Sequence, residues 1–149
     1  MRLDLAVNLL TAAAVREGII TVLGGQQFRP NVHIDDLVRV YIHLLSNPEL
    51  EGIFNAGFEN ITIDEIAELI SGITGASINH MPSDDPRSYR IDSSKLLATG
   101  FKPKKTVQNA IEEVLASLSN RTFRMGEFNS NVNWMRYLIA EGVIEVPKL

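Results

Sequence analysis

The chain has 149 residues, 45 % of them hydrophobic and 21 % charged, with a formal net charge of −4 and no cysteine. That size gives one domain or one large lobe of a soluble globular protein, and the negative charge argues against a general nucleic-acid binder. No apolar run reaches bilayer-spanning length, Arg2 and Asp4 break an otherwise apolar N-terminus that a signal peptide would keep, and the absence of cysteine excludes a disulfide framework or thiolate metal site and is compatible with the cytoplasm.

In chain order, residues 2–17 read as a helix. Leu5, Leu9, Ala12 and Ala13 share a face that Val7, Leu10 and Ala14 widen, and Gly18 ends it. Ile19 to Leu23 reads as a β-branched strand. A Gly24-Gly25 turn follows, and Val32-His33-Ile34 alternates like a half-buried strand before a helix over 36–46. Asp35 or Asp36 is placed to cap that helix, and Leu37, Val40, Tyr41, Leu44 and Leu45 form its apolar face. Residues 52–57 read as a buried strand ending in Gly57. Thr62 and Glu65 form a capping box for a helix with Ile66, Ala67, Leu69, Ile70 and Ile73 as its apolar set.

That helix opens like the first half of a helix-turn-helix. A recognition helix would need basic and amide groups from Ser77 onward, whereas residues 77–82 alternate like a strand and Asp84-Asp85 is acidic. The DNA reading is rejected. Asp92 is placed to cap a short helix and Thr106 a longer one over 107–118. Residues 129–133 are a polar break before a mixed helical face with Trp134 and Leu138, ended by Gly142. His33, His43 and His80 show no metal-ligand spacing, so no metal site is expected.

Arg29 stands between Phe28 and Pro30, just after the glycine turn. A planar guanidinium presented there can grip a phosphate with two hydrogen bonds. On spacing alone the simpler reading, a surface arginine in a turn, is preferred. The run Gly24-Gly25-Gln26-Gln27-Phe28-Arg29-Pro30, followed by Val32-His33-Ile34-Asp35-Asp36, resembles a stretch of the extended short-chain dehydrogenases. These are the NAD-dependent nucleotide-sugar epimerases and dehydratases. The resemblance implies that Arg29, preceded by Gln27 in a Gln-x-Arg pattern, contacts the diphosphate of a nucleoside diphosphate sugar. Asn55, in a segment similar to the family's "Y-N-x-G" strand end, would border the substrate cleft; a simple turn role for Asn55 is an equal alternative.

A second stretch, Asp85-Pro86-Arg87-Ser88-Tyr89-Arg90-Ile91-Asp92, is similar to the C-terminal part of the same enzymes. Many relatives carry "R-P-G-D" here, and their arginine position holds Pro82. Arg87 takes the phosphate role in the reading by resemblance, with Arg90 in reserve. Without the resemblance the two arginines are a solvated basic pair beside Asp84 and Asp85. Asp4 falls near a family asparagine, and a carboxylate there would repel phosphate, so no role is carried over to it.

The resemblance covers only the family's substrate-binding half. A glycine-rich βα turn that lets backbone amides approach a dinucleotide pyrophosphate is absent. So is the family's Tyr-x-x-x-Lys pair, since Leu45, Ser93 and Glu141 stand four residues after Tyr41, Tyr89 and Tyr137. The expected fold is therefore α/β, a small mixed sheet with packed helices. A substrate lobe over 1–120 is followed by a helical tail over 121–149 that packs on the lobe or on a partner. The expected function is nucleotide-sugar binding, with no catalytic residue of its own and NAD implied only for a complete enzyme. The alternative is a non-catalytic binding or interaction module. Missing cover for helices 2–17 and 36–46 implies a homo-oligomer or a partner chain carrying the dinucleotide domain.

Overall fold

Ile20 and Val22 point to one side of a five-residue strand and are wholly buried, while Ile19, Thr21 and Leu23 face outward. That period of two fixes where the interior lies. The computed structural model describes residues 1–120 and 126–144, and the parts of the expected tail at 121–125 and 145–149 lie outside the described residues. Helix α1 (Ala6–Glu17) leads into β1 (Ile19–Leu23), β2 (Phe28–Asn31) and α2 (Ile34–Ser46). Next come β3 (Glu59–Thr62), α3 (Ile63–Thr74), β4 (Ser77–Met81) and α4 (Ser94–Leu97). Helix α5 (Val107–Ser119), a 3-10 turn (Glu127–Asn129) and α6 (Asn131–Ala140) complete the described elements.

The strands form two pairs, one parallel and one antiparallel. Strand β1 runs parallel to β4 with Ile20 opposite Ile78, and β2 runs antiparallel to β3 with Arg29 opposite Ile61. A parallel pair needs a long crossover, which α2, β3 and α3 supply. The main core joins Leu10, Ala14, Ile20, Val22, Ile66, Ala67, Ile70, Val107 and Ile111. Each fully buried isoleucine there contributes about 1.5–3 kcal/mol relative to an exposed one. A second, smaller cluster of Val40, Leu96 and Phe101 holds α2 and α4, with Leu44, Phe54 and Phe58 against it. The capping boxes of α3 (Thr62, Glu65) and α5 (Thr106, Asn109) are both formed.

Five expectations are corrected. Helix α1 buries Leu10, Thr11, Ala12 and Ala14 and leaves Leu5 and Leu9 exposed. Leu10, Ala12 and Ala14 of the expected face are buried, but its centre shifts to the line 7, 10, 11, 14, which fits the helical period as well as the line 5, 9, 12, 13. Thr11 can join it because its hydroxyl donates to the Val7 carbonyl at 2.7 Å. Residues 32–34 are not a strand. His33 is the N-cap of α2, its Nδ1 accepting from the Asp35 N–H at 3.2 Å, so the cap is neither Asp35 nor Asp36.

Residues 52–57 are irregular, and the strand is Glu59–Thr62 instead. Phe54 and Ala56 are spent on the second cluster, and Gly57 is tied through its N–H and its C=O to the Ser93 hydroxyl at 2.9 and 3.0 Å. Finally, Tyr41 and Leu45 lie on the exposed side of α2, with Ile34, Val38 and Ile42; Val40 is buried and Leu37 and Leu44 are half-buried. The described part of the tail meets the N-terminal segment: Asn129 Nδ2 donates to the Met1 carbonyl at 2.9 Å and the Asn131 N–H to Asp4 at 2.8 Å.

Candidate functional site: an arginine fork on one carboxylate

The Gly24-Gly25 turn is held from inside. Both glycines have positive φ, and a Cβ on Gly25 would overlap the Asp64 carboxylate at the start of α3. Gln27 closes the turn: its Oε1 accepts from the Gly25 N–H and its Nε2 donates to the Leu23 carbonyl, each at 2.7 Å. The Gln27 amide is thereby committed to backbone through both its oxygen and its nitrogen.

This turn sets the start of β2, and Arg29 lies in that strand rather than in a loop. Its Nη1 donates to the Phe28 and Arg87 carbonyls, and its Nη2 lies 3.3 Å from Asp85 Oδ2. Arg87 reaches the same carboxylate with two prongs, Nε to Oδ1 at 2.7 Å and Nη2 to Oδ2 at 2.8 Å. The structure therefore brings together two arginines that are 58 positions apart in sequence. The Arg87 guanidinium, its backbone N–H and the nearby Arg29 charge hold the Asp85 carboxyl far below the ordinary carboxylate range, against an opposing desolvation effect.

Residues 82–93 have no helix or strand and run beside β2 and β3. Ser88 Oγ accepts from the Phe28 N–H at 3.1 Å, and Asn60 makes a reciprocal pair with Ile91 at 2.9 and 3.0 Å. Arg90 stacks its guanidinium 3.7 Å from the Phe28 ring centroid. The Arg29 guanidinium lies 5.6 Å from the Tyr89 ring centroid. Asn55 is exposed and donates to the Asp92 carbonyl at 3.2 Å. The fork is thus Arg29, Arg87 and Asp85; Gln27, Asn55 and Arg90 surround it in other roles.

Two features escaped the sequence reading. His33, Asp35 and Glu113 place ligand-type atoms within 4.8 Å of one another. The His33 ring is already satisfied on both nitrogens, with Nε2 3.1 Å from Glu113, and Lys105 Nζ sits 2.6 Å from that same carboxylate. An ammonium already fills the place where a cation would bind. The second is Asp36, fully buried, which accepts from the Lys104 and Lys105 N–H groups at 2.9 Å and from Arg39. The long-range contacts in both groupings have no local signal, because they join the start of α2 to residues 68 to 80 positions later. Two surface grooves, about 480 Å³ beside Arg39 and Phe101 and about 550 Å³ beside Glu68 and Leu69, lie away from the fork.

No family model matches the chain. Comparison with known proteins finds a probable GDP-L-fucose synthase of rice (Oryza sativa subsp. japonica), 30 % identical over 95 residues, covering 60 % of this chain and 29 % of the relative. Among solved structures, an NAD-dependent NDP-hexosamine 5,6-dehydratase of tunicamycin biosynthesis aligns with a TM-score of 0.70 at 20 % identity, over 80 % of this chain and 42 % of that one. The UDP-glucose 4-epimerase of Thermus thermophilus, solved with NAD, aligns with a TM-score of 0.65 at 21 % identity, over 78 % of this chain and 40 % of that one. The chain spans less than half the length of each of these proteins. Its fold is accordingly part of the fold of the NAD-dependent nucleotide-sugar epimerases and dehydratases, the extended short-chain dehydrogenases.

Proposed function

We propose that the chain is the nucleotide-sugar-binding lobe of an NAD-dependent epimerase or dehydratase, whose dinucleotide-binding and catalytic half lies outside this sequence. One observation carries the reading: Arg29 and Arg87 close on a single anionic group. A bidentate guanidinium pair is the arrangement that a diphosphate needs. In this reading Arg29 and Arg87 hold the diphosphate, Asn55 borders the sugar, Gln27 stiffens the turn behind Arg29, and Arg90 is a further cation for the nucleotide side. Residues 1–120 form the lobe and 121–149 its tail.

The chain itself supplies no dinucleotide turn and no tyrosine–lysine pair, so NAD belongs to the complete enzyme. The exposed stripe Ile34, Val38, Tyr41, Ile42 and Leu45 on α2 is the surface for a second copy or for a partner chain with the dinucleotide domain. Calorimetric titration of a panel of nucleoside diphosphate sugars tests the reading. Binding by the purified chain, lost in Arg29→Ala, supports it; no binding by any of them, with or without a dinucleotide-domain partner, overturns it. The isolated chain should show no epimerase or dehydratase activity, and stoichiometric NAD copurifying with it would contradict the assignment of roles.

A second reading has its own support. Val40 is buried and Leu37 and Leu44 are half-buried, so α2 already has one covered face. This favours a self-contained, non-catalytic binding module. A monomer that persists over a dilution series in light scattering, with nucleotide-sugar binding intact and no partner required, would select it.

A further inference from the structure

We propose that Asp85 is an internal competitor for the anion site, so that a diphosphate binds by displacing its carboxylate from the Arg29–Arg87 fork. The inference rests on the reading of that fork as a phosphate site. Three observations carry it. Asp85 engages both arginines, and its two oxygens take the three guanidinium contacts that an incoming phosphate would need. Among the described residues no partner outside the fork secures the carboxylate: its remaining bond is to the Arg87 N–H, two residues on. The backbone that carries it is irregular from residue 82 to 93 and is fastened downstream, at the Arg87 carbonyl, Ser88 and Ile91, rather than at Asp85 itself.

The two ends of the fork also differ in a way that suits exchange. Arg29 is anchored in β2 and its side chain is mostly buried, whereas the Arg87 side chain is 76 % exposed. Opening therefore needs only the Asp85 side chain to turn out of the fork, while Arg29 stays in β2 and its Nη1 bond to the Arg87 carbonyl keeps the second arginine beside it. A carboxylate brings one negative charge to two cations. A diphosphate brings more charge and more acceptor oxygens, so it outcompetes the carboxylate at sufficient concentration. The device raises the ligand concentration at which the site fills and keeps the arginines paired when it is empty.

The test uses inorganic pyrophosphate and calorimetry on the whole chain, with the wild type, Asp85→Asn, Arg29→Ala and the double variant. Asp85→Asn should bind pyrophosphate at least about tenfold more tightly than the wild type, because the competing charge is gone, and Arg29→Ala should abolish the gain. If Asp85→Asn binds equally or more weakly while Arg29→Ala loses binding, the competition is overturned and the phosphate site stands. If neither the wild type nor Asp85→Asn binds pyrophosphate, both readings fall. A variant-free measurement stands beside these: on saturation with pyrophosphate the carboxyl carbon-13 signal of Asp85 should shift with the Arg87 Nε–H signal. A carboxyl signal that stays fixed while the arginine signal moves overturns displacement.

Discussion

Asp36 and Asp85 each lie in the grip of an arginine, but what stands behind them differs. Asp36 is fully buried, and two backbone N–H groups of Lys104 and Lys105 fix it as firmly as Arg39 does. Those donors come from a distant segment, so the carboxylate ties α2 to the loop before α5. Asp85 is partly exposed and takes its bonds from its own turn and from Arg29. The same ion-pair chemistry therefore gives a structural tie in one place and an exchangeable contact in the other. Burial and the origin of the donors decide which, because a lost partner is replaced by water at the surface and by nothing in the interior.

The largest expected effect is at Asp36. Asp36→Ala leaves Arg39 and two backbone donors without their acceptor and should cost about 3–5 kcal/mol in urea unfolding. A loss under about 1 kcal/mol would erase the contrast with Asp85. Burial alone would raise the Asp36 carboxyl, but the Lys105 and Lys104 amides and Arg39 outweigh it and hold it below its ordinary value. Its stabilising contribution is thus complete above the unfolded carboxylate pKa, about 4, and is lost as pH falls through the lower folded value. Acid unfolding should accordingly be steeper in the wild type than in Asp36→Ala. Arg39 is no neutral control for the arginine fork, since its guanidinium holds Asp36 and covers the Phe101 ring. Arg16, exposed at the end of α1, is the better one.

Next in size is ligand binding at the fork. Arg29→Ala and Arg87→Ala should each weaken nucleoside diphosphate sugar binding at least about tenfold, with Arg16→Ala unchanged. Arg87→Ala should do so without moving the urea midpoint, because its side chain is mostly in solvent. A matching loss of stability would make this pair structural after all and so break the comparison.

The smallest effect on folding is expected on the solvent side of α2, the helix that carries Asp36. Ile42→Glu with Leu45→Glu should change unfolding by no more than about 0.5 kcal/mol, since both side chains are more than half exposed. The same pair should lower the scattering mass of the chain at high concentration. An unchanged mass would mean that the stripe holds neither a second copy nor an aggregate.

Much of the fold was legible because its signals are local. The Thr62–Glu65 box, the Gly18 helix end, strand 19–23 and strand 77–81 each depend on residues within one turn or one strand. The pairing of Arg29 with Arg87 was reached through resemblance alone, since no spacing rule joins positions so far apart. The misplaced elements fail for a stated reason. Residues 32–34 alternate like a strand, yet the His33 ring offers the backbone a cap, and a cap competes directly with extended pairing. Residues 52–57 are apolar enough for a strand, but the residues beside them, Asp92 and Ser93, meet them through side-chain bonds and not through a backbone ladder.

By itself the sequence determined the α/β character, the order of helices, the two informative arginine stretches and the lack of a dinucleotide turn. The arginine stretches stand out only by resemblance; the others follow from residue type and short-range period. The tertiary structure decided which of two helical lines α1 buries, which face of α2 meets the core, and that Asp36 rather than a helix cap ties α2 to the loop before α5. It alone placed Asp85 between Arg29 and Arg87. These outcomes depend on partners far away in the chain, and the free energy of burial and pairing is realised only where those partners meet.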